Sequence, residues 1–236
     1  MRVGAGRMRR RLVQAAVLAG VLTGCSGTAQ EEPRAASGTS VSASASGGAE
    51  DGASAGGGTA ARSGGTIGAD GSACELPVSF DVAEGWKPQA VDAAEAASKG
   101  SGDEVTQEIV DSLVRQGPVT AACEVDAKPA GNIGYLRVWT GARGGGDARA
   151  VLEAFVTAET GARKATYTPF TAGGLAGAEV KYLVRSELLD ETKEASAVAV
   201  TTGRGPVVIH LGGLDTEEHR AMLPAYELAK RTLRAT

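Results

Sequence analysis

The chain has 236 residues, 42% hydrophobic but only 4% aromatic, with 34 glycines and a formal net charge of −4. An acidic balance of this kind excludes nucleic-acid binding through phosphate neutralisation and argues against adhesion to anionic lipid. Glycine, serine and alanine crowd into the first third, so the chain divides into unlike parts.

The first part is basic and then apolar. Arg2, Arg7, Arg9, Arg10 and Arg11 precede a run from Leu12 to Leu22, interrupted by Gln14 and Gly20. Positive charge ahead of a short apolar core is the layout of a signal peptide. The run is too short for a spanning helix, which needs about 20 apolar residues. It ends in Leu22-Thr23-Gly24-Cys25, which resembles the lipobox of bacterial lipoproteins. The resemblance implies that residues 1–24 are a cleaved signal peptide. It also implies that the Cys25 thiol carries fatty chains such as palmitate. Two or three such chains anchor firmly where one binds only reversibly, each buried CH₂ contributing about 0.8 kcal/mol. The expected location is the outer face of the cell membrane, lipid-anchored. Arg9-Arg10-Arg11-Leu12-Val13 partly resembles a twin-arginine export signal, with Met8 in the usual polar position. Folded and unfolded export therefore both stay open.

From Cys25 to Ser72 the chain is nearly all Ser, Gly, Ala and Thr, with Val41 and Ile67 its only branched aliphatic residues. Such a segment buries too little apolar surface to offset its ordering entropy, so residues 25–72 are expected to be a disordered tether. A coil of this length spans roughly 40 Å and, fully stretched, about 160 Å. Taking the five leader arginines from the 24 basic residues leaves 19 against 28 acidic ones. The mature chain is thus more acidic than the precursor.

Residues 73–236 make an ordinary single domain. Cys74 and Cys123 form an even pair in an oxidising compartment, without Cys-x-x-Cys spacing, and read as one disulfide. Val78, Phe80 and Val82 alternate as in a half-buried strand, and Glu84-Gly85-Trp86 turns the chain. The spacing of Val105, Ile109 and Leu113 predicts a helix over 103–116, capped by Asp103 and stopped by Gly117-Pro118. Strands are predicted over 119–125 and 135–139, then a Gly144-Gly145-Gly146 turn and a helix from the Asp147 cap to about Glu159. Strands over 164–170, 178–185, 195–202 and 206–211, with short connections, favour an antiparallel meander. Asp215-Thr216-Glu217-Glu218 resembles a capping box. Pro224 is expected to interrupt that helix, giving a short turn to Leu223 and a new helix from Pro224.

This order gives an α+β fold: an antiparallel sheet with helices packed on one face and a closing C-terminal helix. The segments Pro77 to Trp86, Val207 to Leu211 and Asp215 to Leu233 resemble the opening strand, last strand and terminal helix of the Mog1/PsbP-like fold. Actinobacterial lipoproteins of the LpqN type share that fold. The resemblance implies a binding or assembly protein rather than an enzyme, by analogy of fold alone.

The residues point the same way. His210 lies on the side of its strand opposite Val207, Ile209 and Leu211, and His219 lies at a polar helix start. Neither has metal-ligand spacing. Ser186 and Ser196 lack the Gly-x-Ser-x-Gly elbow. The triple glycine could cradle an anion, but the Asp147 cap would repel it. Asp190, Glu191 and Glu194 do not follow a calcium loop. No catalytic residue, metal ligand or cofactor is assigned. Trp86, Trp139 and Tyr135 are the candidates for a ligand or partner surface, combining apolar area with a polar handle. The expectation is a surface-tethered, noncatalytic binding or accessory domain whose partner is an envelope protein, a glycan or a small ligand. Its alternatives are an extracytoplasmic hydrolase with dispersed residues and a structural envelope protein.

Overall fold

Strict alternation of apolar and polar side chains builds the centre of the domain. The computed structural model describes residues 61–93, 95, 98, 108–110 and 113–236; Cys25, the leader and most of the tether lie outside them. Strand β5 (Val119–Asp126) buries every second residue along its whole length. It pairs with β6 (Gly134–Gly141), which pairs with β10 (Gly205–Gly213). From β10 the sheet continues through β9 (Glu191–Thr202) and β8 (Leu175–Ser186) to β7 (Ala162–Ala172). On the far side β3 (Lys87–Ala90) and the short β4 (Arg115–Gln116) both pair with β5. Each of these pairings is antiparallel. A second sheet joins β1 (Ser63–Ile67), β2 (Val78–Ala83) and β11 (Arg234–Ala235).

The two faces of the large sheet carry separate cores. Helix α1 (Ala148–Thr157) covers one, burying Val151, Leu152, Phe155 and Val156 against Trp139, Val180, Tyr182 and Val208. Ala195, Ala197 and Ala199 of β9 lie under it, and their small side chains let the helix sit close. The small sheet and helix α2 (Thr216–Thr232) cover the other face, where Phe80, Leu136, Ile209, Leu211 and Tyr226 are buried. The α+β class, the antiparallel sheet, the packed helices and the C-terminal helix are as expected. In detail, one long helix lies on each face.

Asp147 caps α1 as its sequence predicts, its Oδ1 accepting from the Ala150 amide at 2.9 Å. Replacing it should cost about 1 kcal/mol. Urea denaturation of Asp147→Ala is expected to read that loss with an unchanged slope. The cap also occupies the Ala150 amide, one of the helix-end donors an anion would use, and sets a carboxylate there.

Three expectations change. Strand β1 lies inside the segment 25–72 read as tether, so the folded part starts ahead of residue 73. Only Ile67 of this strand is buried, and pairing with β2 rather than composition holds it. The chain then turns at Gly68, where φ is +108° and a Cβ would collide with the Val78 carbonyl. Pro224 does not end a helix: α2 runs through it. The roughly 3 kcal/mol that an internal proline costs is outweighed by the buried side formed by Met222, Ala225, Tyr226, Leu228 and Ala229. The Pro224 carbonyl also accepts from the Ala61 amide at 3.1 Å. Of the helix expected over 103–116, residues 108–110, 113 and 114 are helical, Arg115–Gln116 is strand, and the rest lies outside the described residues. Ile109 and Leu113, whose spacing predicted the helix, are exposed.

Helix α2 is fixed to the sheet by polar contacts as well. Glu179 is buried on β8 and accepts from the Tyr226 hydroxyl at 3.1 Å and from Lys230 Nζ at 3.1 and 3.2 Å. Burial and the neighbouring Glu179 carboxylate hold the Tyr226 hydroxyl in its neutral form, well above the usual tyrosine range. A buried charge satisfied this fully fixes where the helix sits.

Candidate functional site

At the end of the sheet where α1 stops, three separated segments enclose a cleft of about 1000 Å³. Residues 159–163 leave α1, residues 184–193 form the β8–β9 hairpin end, and residues 214–217 lead into α2. The hairpin turns through Glu187, Leu188, Leu189 and Asp190, with Asp190 at a φ of +52°. Leu188 is 94% exposed, Leu189 62% and Leu214 57%. Leucines so exposed are a concentration of apolar surface that a soluble domain seldom leaves without use.

Glu159 stands at the cleft wall and connects it to a buried polar chain. Its carboxylate accepts from the Tyr182 hydroxyl at 2.5 Å and from Gln116 Nε2 at 3.5 Å. The Tyr182 oxygen lies 3.3 Å from His210 Nε2. With the phenol proton directed at Glu159, that nitrogen is the donor, which sets the imidazole tautomer. Burial raises the Glu159 pKa, the bonds from Tyr182 and Gln116 and the charge of Lys193 opposing it. Burial likewise raises Tyr182, with the Glu159 charge adding to it. His210 is pushed down to about 3 by burial and by the nearby cations Lys193 and Arg137. A neutral imidazole with its nitrogen engaged is a weak base at neutral pH.

His219 departs from its expectation. It lies at the start of α2, but its ring is buried instead of facing the polar side, because that end of the helix lies against β9 and β10. Its Nε2 is 3.2 Å from Ser196 Oγ, and Nδ1 has no hydrogen-bond partner among the described residues. Burial pushes its pKa down to about 4, with Glu194 opposing. Ser196 is only 2% exposed, and Glu194, the carboxylate whose charge acts on His219, is bound to Arg220. A serine and a histidine are therefore close but without an orienting acid or access for substrate. They tie α2 to β9. Among the described residues no group of three or more His, Cys, Asp or Glu could hold a metal ion.

Cys74 and Cys123 form the disulfide read from their pairing, with Cα atoms 5.9 Å apart. Cys25 lies outside the described residues. Trp86 and Trp139 do not form a surface. Trp86 is buried between the two sheets, with one edge on a hollow of about 330 Å³ beside Arg62, Asn132 and Pro224. Trp139 is buried under α1, edge-on to Phe155 at 5.7 Å. A domain with few aromatic residues spends them on its cores, where each buries the most area. Tyr135 is half exposed and covers Gly212, where a Cβ would meet its ring at 2.6 Å. The Arg137 guanidinium lies 4.6 Å over that ring and is paired with Glu124. Tyr135 and the tryptophans are not brought to the cleft. Sequence reading missed Leu188, Leu189, Leu214 and Glu159. An apolar pair between Ser186-Glu187 and Asp190-Glu191 was the available signal, because a solvated turn has no need of it.

A family model described as "Uncharacterised lipoprotein" matches residues 42–233. Two solved structures are similar. One is the solution structure of cyanobacterial PsbP (CyanoP) from Synechocystis sp. PCC 6803, 15% identical with a TM-score of 0.45, covering 73% of this chain and 98% of that one. The other is the crystal structure of LpqN, involved in cell envelope biogenesis, of Mycobacterium tuberculosis, 13% identical with a TM-score of 0.38, covering 71% and 87%. No curated protein matches the chain.

Proposed function

The chain belongs to the family of uncharacterised lipoproteins, and from that premise we propose that it is a noncatalytic binding or accessory domain of the cell envelope. In this reading a lipid on Cys25 holds it to the outer face of the membrane, and a partner or ligand is taken at the β8–β9 cleft. The observation that carries the second half is the exposure of Leu188, Leu189 and Leu214 around one concavity. Binding sites combine apolar walls with a few fixed polar groups. Glu159 and Lys193 supply these, Lys193 being held by the Gly213 carbonyl at 2.8 Å. The polar residues that could do chemistry are bonded in two buried pairs, Ser196 with His219 and Tyr182 with His210.

Replacing Leu188 by photoreactive p-benzoylphenylalanine in living cells tests the site. Irradiation is expected to give discrete crosslinked species that the same residue placed at the exposed Asp70 does not give. Equal crosslinking at the two positions would count against the cleft. Turnover of ester, peptide or glycoside substrates that falls in Ser196→Ala or His210→Ala would overturn the noncatalytic reading.

The anchor has its own test. Cys25→Ala is expected to move the protein from the membrane to the soluble fraction and to remove the acyl mass from its N-terminal peptide. A variant that stays with the membrane would refute lipidation at this residue.

A further inference from the structure

Leucine exposure alone does not choose a partner; the charge around it does. Glu187 and Glu191 flank the exposed leucines on the hairpin, and Glu217 faces them from the start of α2. None of these three carboxylates has an ion pair or a side-chain hydrogen bond among the described residues. Of the basic groups of the cleft, Arg185 is paired with Asp190, while Arg163 and Lys193 are hydrogen-bonded to neutral oxygens, Thr192 Oγ1 and the Gly213 carbonyl, and keep their charge. Glu159, half-buried on the wall, has Tyr182 and Gln116 as partners but no bonded cation among the described residues. Glu159, Glu187, Glu191, Asp215 and Glu217 line the cleft against Arg163, Arg185 and Lys193, five acidic groups to three basic ones, so beside its exposed leucines the cleft is acidic on balance. The 28 acidic against 19 basic residues of the chain beyond its leader extend the same imbalance to the whole molecule.

Resting on the reading that this cleft is the binding site, we infer that its occupant is a basic, amphipathic segment of another protein. Apolar side chains of that segment seat against Leu188, Leu189 and Leu214. Its lysines or arginines pair with Glu187, Glu191 and Glu217, and one reaches Glu159. An anionic membrane surface would meet the same leucines but would be repelled by these carboxylates. Residues three and four apart on a helix give the segment the required two faces.

The mature full-length protein in phosphatidylcholine nanodiscs is titrated against a labelled peptide of about 18 residues carrying Leu and Lys at helical spacing. Empty nanodiscs serve as the reference, and a peptide with Glu in place of Lys as the counterpart. The Lys peptide is expected to bind, and the Glu peptide to bind at least about tenfold more weakly. Leu188→Asn/Leu189→Asn and Glu187→Gln/Glu191→Gln/Glu217→Gln should each weaken the Lys peptide by about tenfold, while Asp70→Asn leaves it unchanged. Equal binding of the two peptides, or binding that neither cleft variant weakens, overturns the inference. If the Glu peptide or phosphatidylglycerol vesicles bind instead, and the leucine variant abolishes it, the cleft stands as a site and the partner class falls. If no probe exceeds empty nanodiscs while Leu188 still crosslinks in cells, the basic segment is likewise overturned. If crosslinking fails too, the binding reading falls with it.

Discussion

A plot of unfolding free energy against pH is expected to drop steeply below pH 6.5, the ordinary histidine value, and to approach its floor near pH 3 to 4. His210 and His219 are both buried and both held neutral, at about 3 and about 4. The sign follows from linkage. An unfolded imidazole takes its proton near pH 6.5, whereas the folded one refuses it until the pH is far lower. Between those values the unfolded state binds more protons, so stability is complete above 6.5 and drains as the pH falls. One pKa unit corresponds to about 1.4 kcal/mol, so each imidazole is worth several kcal/mol. That is a large share of the roughly 5–15 kcal/mol that hold a domain together.

The groups around each ring decide how clean the effect is. Lys193, His219 and Arg137 lie near His210 and reinforce its neutrality, so the two imidazoles act on each other and their effects do not simply add. Around His219, Lys181, Lys193 and Arg220 act in the same direction, and Glu194 opposes them. Glu159 works against the trend. Its folded pKa is raised, so its contribution favours the fold as the pH falls. His210→Gln and His219→Gln keep a polar group near Tyr182 and Ser196 but remove the titration. The double variant should be less stable at neutral pH and should show a much shallower fall from pH 6.5 to 4. Chemical denaturation repeated across that range measures it; a slope equal to that of the unaltered protein would refute the assignment.

How much of this was legible depends on where the information lies. The burial pattern of β5 is written in its own alternating residues, as is the facing of His210 opposite Val207, Ile209 and Leu211. The capping of α1 by Asp147 and of α2 by Asp215 is equally local. Strand β1 is not. Ser63-Gly64-Gly65-Thr66-Ile67 has no alternation, and it is a strand only because β2 offers an edge to pair with. Pro224 misled because a local rule about backbone donors competes with packing that only the assembled sheet supplies. The tryptophans misled for a related reason: their polar edge suggests a surface, but the shortage of large side chains draws them inward. The cleft was the least legible feature, since its walls come from three segments far apart in the chain. His210 meets Tyr182 only because β9, lying between their strands, carries small alanines at Ala195 and Ala197.

The second large effect belongs to the disulfide. Cys74 precedes β2 of the small sheet and Cys123 lies within β5 of the large one, so the bond joins the two layers across the core. Beyond it, the small sheet is a short three-stranded structure in which β11 contributes only Arg234 and Ala235. Closing a loop of 49 residues restricts the unfolded chain and is worth roughly 4 kcal/mol in the chain-entropy model. Cys74→Ala/Cys123→Ala should therefore lower the melting temperature by about 10 °C, given the usual 2–4 °C per kcal/mol at this size. Both sulfurs are buried, so reductant reaches them only when the domain opens. Adding dithiothreitol during equilibrium unfolding should bring the unaltered protein down to the stability of the double variant, apart from a small packing difference, and leave the variant unmoved. Equal denaturation midpoints for the unaltered protein with and without reductant would show that the joint contributes nothing, and that packing of Val78, Phe80 and Val82 alone holds the small sheet in place.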